Sequence, residues 1–101
     1  MKIRARLEGD VADVRVLMTH PMENGLRKSA SGQAIPEHFI QSISVQLNGA
    51  TVLEAEIGRS VSTNPVFGFR VKGAKADDKF TLTWKDNRGL ARTDEARVSA
   101  G

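Results

Sequence analysis

With 101 residues, 40% of them apolar, the chain has room for one globular domain spanning residues 1–101, and it lacks the run of about 20 apolar residues that a membrane helix requires. It contains no cysteine, which excludes disulfides, thiolate metal sites and a cysteine nucleophile. The net charge is +3, and lysines and arginines are spread along the sequence among acidic residues rather than gathered in a block, so the order of charges does not indicate a nucleic-acid partner.

The first half of the chain alternates apolar and polar residues, which is the period of a half-buried β-strand. Four segments show this pattern: residues 3–7, 11–18, 39–47 and 51–57. The last two are separated by Asn48-Gly49. Both residue types tolerate positive φ angles, so the dipeptide predicts a type I′ turn and a β-hairpin.

The second half continues the alternation in residues 65–72, 80–85 and 90–98. In the first of these, Phe67 and Phe69 are expected to face the core, and Val66 and Gly68 the opposite side. No segment carries an apolar stripe at helical spacing. Seven short antiparallel strands in a chain of this length predict an all-β fold, an immunoglobulin-like β-sandwich.

Residues 18–36 break this rhythm with a long polar segment rich in small residues, and loops of such length are often functional. On an extended strand Met18, His20 and Met22 would share one face, and thioether and imidazole groups suit Cu(I). This predicts a copper-binding sandwich as one alternative. However, Pro21 disturbs a strand, and methionine more often fills apolar gaps, so packing at a sheet end or a partner surface is the favoured interpretation.

The sequence offers little for catalysis, and we expect no enzyme and no cofactor. Thr19 is next to His20, but neighbours on a strand point to opposite faces, so the two do not form a nucleophile–base pair. The paired carboxylates at residues 77–78 and 94–95 are typical of solvated charges in turns and strand edges. A further alternative is an accessory module that binds a small anion or sugar through the long segment.

Four motifs together resemble the SoxZ family of sulfur-oxidation proteins. They are THPMENGLRK at residues 19–28, IPEHFI at 35–40, NPVFGF at 64–69 and WKDNRG at 84–89. The similarity extends over essentially the whole chain. The resemblance implies an immunoglobulin-like sandwich and a non-catalytic subunit of the thiosulfate-oxidation carrier complex.

In that complex the partner SoxY carries sulfur intermediates on a cysteine at the end of a flexible arm, and other Sox pathway enzymes act on that arm. A chain without cysteine corresponds to the other half of the heterodimer. The resemblance also implies a periplasmic location. The first residues lack the apolar stretch of a signal peptide, which by itself favours the cytoplasm, but the resemblance implies export together with the partner.

Unusual composition, rather than the resemblance, suggests which residues contact a partner. Gly68 has no side chain to pack, and glycine in a strand often marks close approach of another backbone. The predicted partner-binding residues are Met18, His20, Pro21, Met22, Arg27, Asn64, Pro65, Val66, Phe67, Gly68 and Phe69. Among these, Arg27 and Met22 are expected to be exposed.

Overall fold

Seven β-strands form two antiparallel sheets in a computed structural model that describes residues 1–57, 61 and 63–100. The strands are β1 (Lys2–Glu8), β2 (Val11–Leu17), β3 (Ile40–Leu47), β4 (Ala50–Glu56), β5 (Val66–Lys72), β6 (Lys79–Asp86) and β7 (Ala91–Arg97). One sheet has the order β1-β2-β5 and the other β4-β3-β6-β7. Within the described residues there is no helix of the length and apolarity that crossing a membrane demands. The predicted all-β immunoglobulin-like sandwich is confirmed.

The core lies between the sheets and is built by the period-two alternation of the central strands. Inward-pointing side chains of β2, β3 and β6 are buried, and outward-pointing ones are exposed or half-buried. The largest fully buried side chains of these strands are Val14, Val16, Ile40, Ile43, Val45, Phe80 and Leu82. Burial of this apolar surface is the main term that stabilises so small a domain.

The hairpin predicted at Asn48-Gly49 is confirmed, with φ angles of 50° and 87° that place both residues in the left-handed region. The Asn48 side chain also fastens the turn to the start of β6. Its Oδ1 accepts the Lys79 N–H at 2.9 Å, and its Nδ2 donates to Asp78 Oδ1 at 3.1 Å. The turn therefore joins β3 and β4 and also holds the neighbouring β6 in register.

The predicted long loop is folded back on itself as a narrow arm. Glu23 and His38 exchange backbone hydrogen bonds of 2.6 and 2.8 Å at its base, and Ile35 N–H donates to the Arg27 carbonyl at 2.8 Å further out. The segment breaks the strand alternation as expected, but it is held by backbone pairing. We call residues 23–38 the arm.

Candidate functional site

Two histidines and one aspartate meet at the base of the arm. His20 follows β2, His38 precedes β3, and Asp86 ends β6. Both Nε2 atoms contact the same carboxylate oxygen, Asp86 Oδ2, at 3.1 Å for His20 and 2.7 Å for His38. The His20 ring also contacts Trp84 edge-on, with ring centroids 5.2 Å apart. We call the three residues the His–Asp cluster.

The carboxylate of Asp86 is ionised in the folded protein. Burial raises its pKa, but hydrogen bonds from His20, Leu90 N–H, His38 and Arg88 N–H together outweigh burial and lower the pKa to about 2. An ionised carboxylate only accepts hydrogen bonds, so each histidine presents its Nε2–H to Oδ2. The His20 Nδ1 in turn accepts the Met22 N–H at 3.1 Å, which fixes this tautomer.

The cluster has the composition of a metal site, because its ligand atoms all lie within 4.8 Å of one another. A metal on His20 Nε2 would require the proton to sit on Nδ1, since a liganding histidine normally donates from its other nitrogen. That position faces the Met22 N–H, which is itself a donor. The residues therefore fit a hydrogen-bonded junction and do not fit a metal.

The alternative copper set of Met18, His20 and Met22 meets the same difficulty. All three side chains are buried, and Met22 has a φ of 51°, which is not the extended backbone assumed for a shared face. Both ring nitrogens of His20 are occupied, and the Met22 sulfur accepts the Ile40 N–H at 3.3 Å. Two of the three side chains in this set, His20 and Met22, therefore already use their donor atoms to hold the base of the arm.

A second feature is the side of the sandwich bordered by β4 and β5. On the opposite side the two sheets are joined by contacts between the two ends of the chain. Ser99, which follows β7, exchanges hydrogen bonds with the β1 backbone, and the N-terminal amine pairs with Asp94 of β7 at 3.0 Å. Since β1 lies beside β7, β5 lies on the side of β4. Among the described residues both are edge strands, so each has one row of backbone groups that no other strand of its sheet pairs.

Inward-pointing apolar side chains are incompletely buried along these two edges. Phe67 and Phe69 oppose the buried Val16 and Val14, yet neither ring is fully covered. Leu53 likewise opposes the buried Val45. We define the apolar seam as the half-buried residues Leu53, Ala55, Ile57, Phe67, Phe69 and Val71. Core-type side chains that the domain itself does not cover are typical of a protein interface.

The predicted partner-binding residues are distributed over three environments. Phe67 and Phe69 lie in the apolar seam, as half-buried side chains. The exposed members are Pro21, Arg27, Asn64, Val66 and Gly68. The buried members are Met18, His20, Met22 and Pro65. Partner contact stays a prediction for all of them.

The expectation that Met22 is exposed is wrong, since only 6% of its surface is accessible. Its side chain turns inward because the backbone adopts a φ of 51° at this position, which places the thioether against the Ile40 N–H. Arg27 is exposed as expected and donates a hydrogen bond to Glu23, four residues earlier in the arm. Asn64 is exposed, and its Oδ1 accepts the His20 N–H at 3.0 Å.

Sequence reasoning missed the roles of His38 and Asp86. Both lie within the recognised motifs, but nothing in their spacing shows that they meet, because 48 positions separate them. The available signal was Asp86-Asn87-Arg88-Gly89, since aspartate at the start of a turn often accepts hydrogen bonds from the following N–H groups. Here Oδ1 accepts them from Arg88 and Leu90.

Comparison with known proteins identifies the family. The family model described as "Sulphur oxidation protein SoxZ" matches residues 1–97. A search of curated proteins gives no match. The family match covers nearly the whole chain and agrees with the resemblance seen in its motifs. The chain therefore belongs to the SoxZ family and has a role in sulfur oxidation.

Proposed function

We propose that this protein is the non-catalytic subunit of a heterodimeric sulfur carrier in thiosulfate oxidation. In this role it binds a SoxY-type subunit and presents that subunit's cysteine to the pathway's enzymes. The chain has no cysteine, so it has no thiolate on which to carry sulfur. Membership of a sulfur-oxidation family supports the pathway, and the missing thiol supports the auxiliary role.

The apolar seam is the observation that carries the proposal. Permanent complexes are more apolar at their centre than the rest of a protein surface, and they resemble a domain core cut in two. The seam has this character, because its side chains are aligned with core residues of the neighbouring strands but remain half-exposed. A partner that covers β4 and β5 would complete the core and also pair the free strand edges.

The His–Asp cluster supports a structural role. His20 and Asp86 use their donors and acceptors on one another, on His38 and on nearby backbone, and no buried side-chain polar atom among the described residues lacks a partner. Both ring nitrogens of His20 are hydrogen-bonded, so this ring has no free lone pair to direct at a substrate, as a general base needs. We assign the cluster to holding the arm against the sheet. The proposal places the complex in the periplasm, exported together with the partner.

Co-purification tests this function. Tagged chain would be recovered from cells grown on thiosulfate, and the bound proteins would be identified by intact mass spectrometry. We expect one stoichiometric partner with a cysteine at the end of its C-terminal arm. Recovery of the chain alone, from an extract in which such a protein is present, would contradict the proposal.

A further inference from the structure

The outer face of the three-stranded sheet gathers six of the chain's 15 lysines and arginines. Antiparallel register sets its side chains in rows across β1, β2 and β5: Lys2–Leu17–Val66, Arg4–Arg15–Gly68, Arg6–Asp13–Arg70 and Glu8–Val11–Lys72. Six cations stand against two acids, a net charge of +4 in a chain whose total is +3. All six cations are exposed. We call this surface the basic face.

The sequence did not reveal this clustering, because the cations are scattered along the chain. Alternate positions of a strand point to one face, so Lys2, Arg4 and Arg6 come together although apolar residues separate them. Sheet pairing then adds Arg15 and Arg70 from distant positions. The even spread of lysine and arginine in the sequence therefore becomes a strong asymmetry in the fold.

One row of the basic face is electrostatically unfavourable by itself. Arg4 and Arg15 are direct cross-strand partners, and like charges opposite each other destabilise a sheet. The Arg15 stem lies over Gly68, with Cδ 3.6 Å from where a Cβ would stand, so its guanidinium extends over the middle of the face. The nearest acid, Asp13, is 3.7 Å from Arg15 Nε at its closest oxygen. An anionic group placed over this row would relieve the repulsion.

The composition of the face favours a protein as the bound molecule. Proteins that bind single-stranded nucleic acid on a sheet stack the bases on aromatic side chains, and none of the twelve positions in the four rows is aromatic. Leu17 and Val66, which are 41% and 67% exposed, form an apolar end beside the cations. Arginines beside exposed apolar residues are typical of protein–protein interfaces.

We propose that the basic face docks a second protein through an acidic surface. This protein is distinct from the subunit bound at the apolar seam, because the two surfaces use opposite sides of β5: Val66 and Gly68 outward, Phe67 and Phe69 inward. The SoxZ-family chain can therefore bind the seam subunit and the docked protein at the same time. Association at the basic face depends on charge, so its rate and affinity fall as salt rises.

The substitution Arg4→Glu separates docking from folding. It places a carboxylate opposite Arg15 and so replaces a repulsive cross-strand pair by an attractive one. We expect the isolated chain to become at least as resistant to urea as the wild type, while docking weakens by about tenfold or more, as expected for a like-charge contact. Lys28→Glu is the matched control, because it makes the same change in net charge at an exposed position on the arm.

Photocrosslinking provides the test. A photoreactive phenylalanine analogue would replace exposed Val66 in the full chain, and the crosslinked species from thiosulfate-grown cells would be mapped by mass spectrometry. We expect a protein other than the seam-bound subunit, crosslinked at an acidic surface. The yield should fall by about tenfold with Arg4→Glu or in high salt, and should not change with Lys28→Glu.

Four outcomes would overturn the proposal: a nucleic acid as the crosslinked species, a protein surface without acidic character, a yield insensitive to Arg4→Glu, or no crosslink. A crosslink to the SoxY-type subunit itself would also overturn it. That last result would move the subunit interface to the basic face. The docking proposal fails separately from the proposed function, because co-purification of the subunit does not depend on this crosslink.

Discussion

His38 Nε2 lies 2.7 Å from Asp86 Oδ2, so the residue where the arm returns to the sheet is hydrogen-bonded to the last residue of β6. The same turn holds the arm a second time. Asn87 accepts the Phe39 N–H at 2.8 Å and donates to the Glu37 carbonyl at 3.0 Å. The β6–β7 turn is therefore the anchor that positions the arm, and its buried carboxylate is the central element.

Substitution of Asp86 should destabilise the domain severely. Asp86→Asn removes the charge that both histidines contact and turns an amide donor either toward both of their N–H groups or toward the N–H groups of Arg88 and Leu90. Disrupting a buried hydrogen-bonded pair costs about 3 kcal/mol. Urea unfolding followed by the fluorescence of Trp84, the single tryptophan, measures this loss.

Glu54→Gln is the control for Asp86→Asn, because it makes the same chemical change on an exposed residue of β4. It should alter the free energy of unfolding by less than about 0.5 kcal/mol. Equal stability of the two variants would show that Asp86 does not anchor the arm.

The free energy of unfolding should also depend on pH, because Asp86 is protonated at low pH. The pKa of Asp86 is about 2 in the folded chain, against an ordinary value of 3.8, so the unfolded state binds its proton at higher pH. The stabilisation is complete above about pH 4 and is lost as pH falls through about 2. Between those values the free energy of unfolding should fall more steeply for wild type than for Asp86→Asn. If the urea midpoints of wild type and Asp86→Asn fell in parallel over this pH range, the assigned ionisation of Asp86 would be wrong.

Much of the fold could be predicted from the sequence because alternation and turn chemistry are local. The strand carrying Val14 and Val16 and the Asn48-Gly49 hairpin follow from residues within a few positions of each other. The His–Asp cluster could not be predicted in this way, because contact between His38 and Asp86 depends on the pairing of the distant strands β3 and β6, and their contact with His20 depends on how the two sheets pack. The inward turn of Met22 depends on a positive φ that sequence patterns rarely reveal for methionine.

Copper should find no specific site at the base of the arm. The His20 nitrogens and the Met22 sulfur are already hydrogen-bonded, so binding a metal would first require breaking those contacts. We expect Cu(I) titration against a chelating indicator to give the same weak affinity for wild type and Met22→Leu. A clear loss of affinity in the variant would restore the copper alternative.

Truncation in the apolar seam should weaken partner binding as well as folding. Val71→Ala removes two methyl groups from a half-buried side chain, which costs about 1 kcal/mol of stability at such a position. The same group would be fully buried in the complex. We expect the dissociation constant for the SoxY-type subunit, measured by calorimetry, to rise by about fivefold.

The matched control for Val71→Ala is Leu90→Ala, which truncates an apolar side chain that is exposed in the β6–β7 turn. Its dissociation constant should stay within about twofold of wild type. If the control weakened binding and the seam variant did not, the interface would lie at the anchored end of the arm.

Hydrogen–deuterium exchange on the free chain and on the complex tests the central claim most directly. Edge strands exchange quickly where their amides face solvent, and a covering partner slows them. The account predicts slower exchange in Ala50–Glu56 and Val66–Lys72 on complex formation, with Ala91–Arg97 unchanged. Protection confined to β7 or to the arm, with β4 and β5 exchanging as in the free chain, would contradict it.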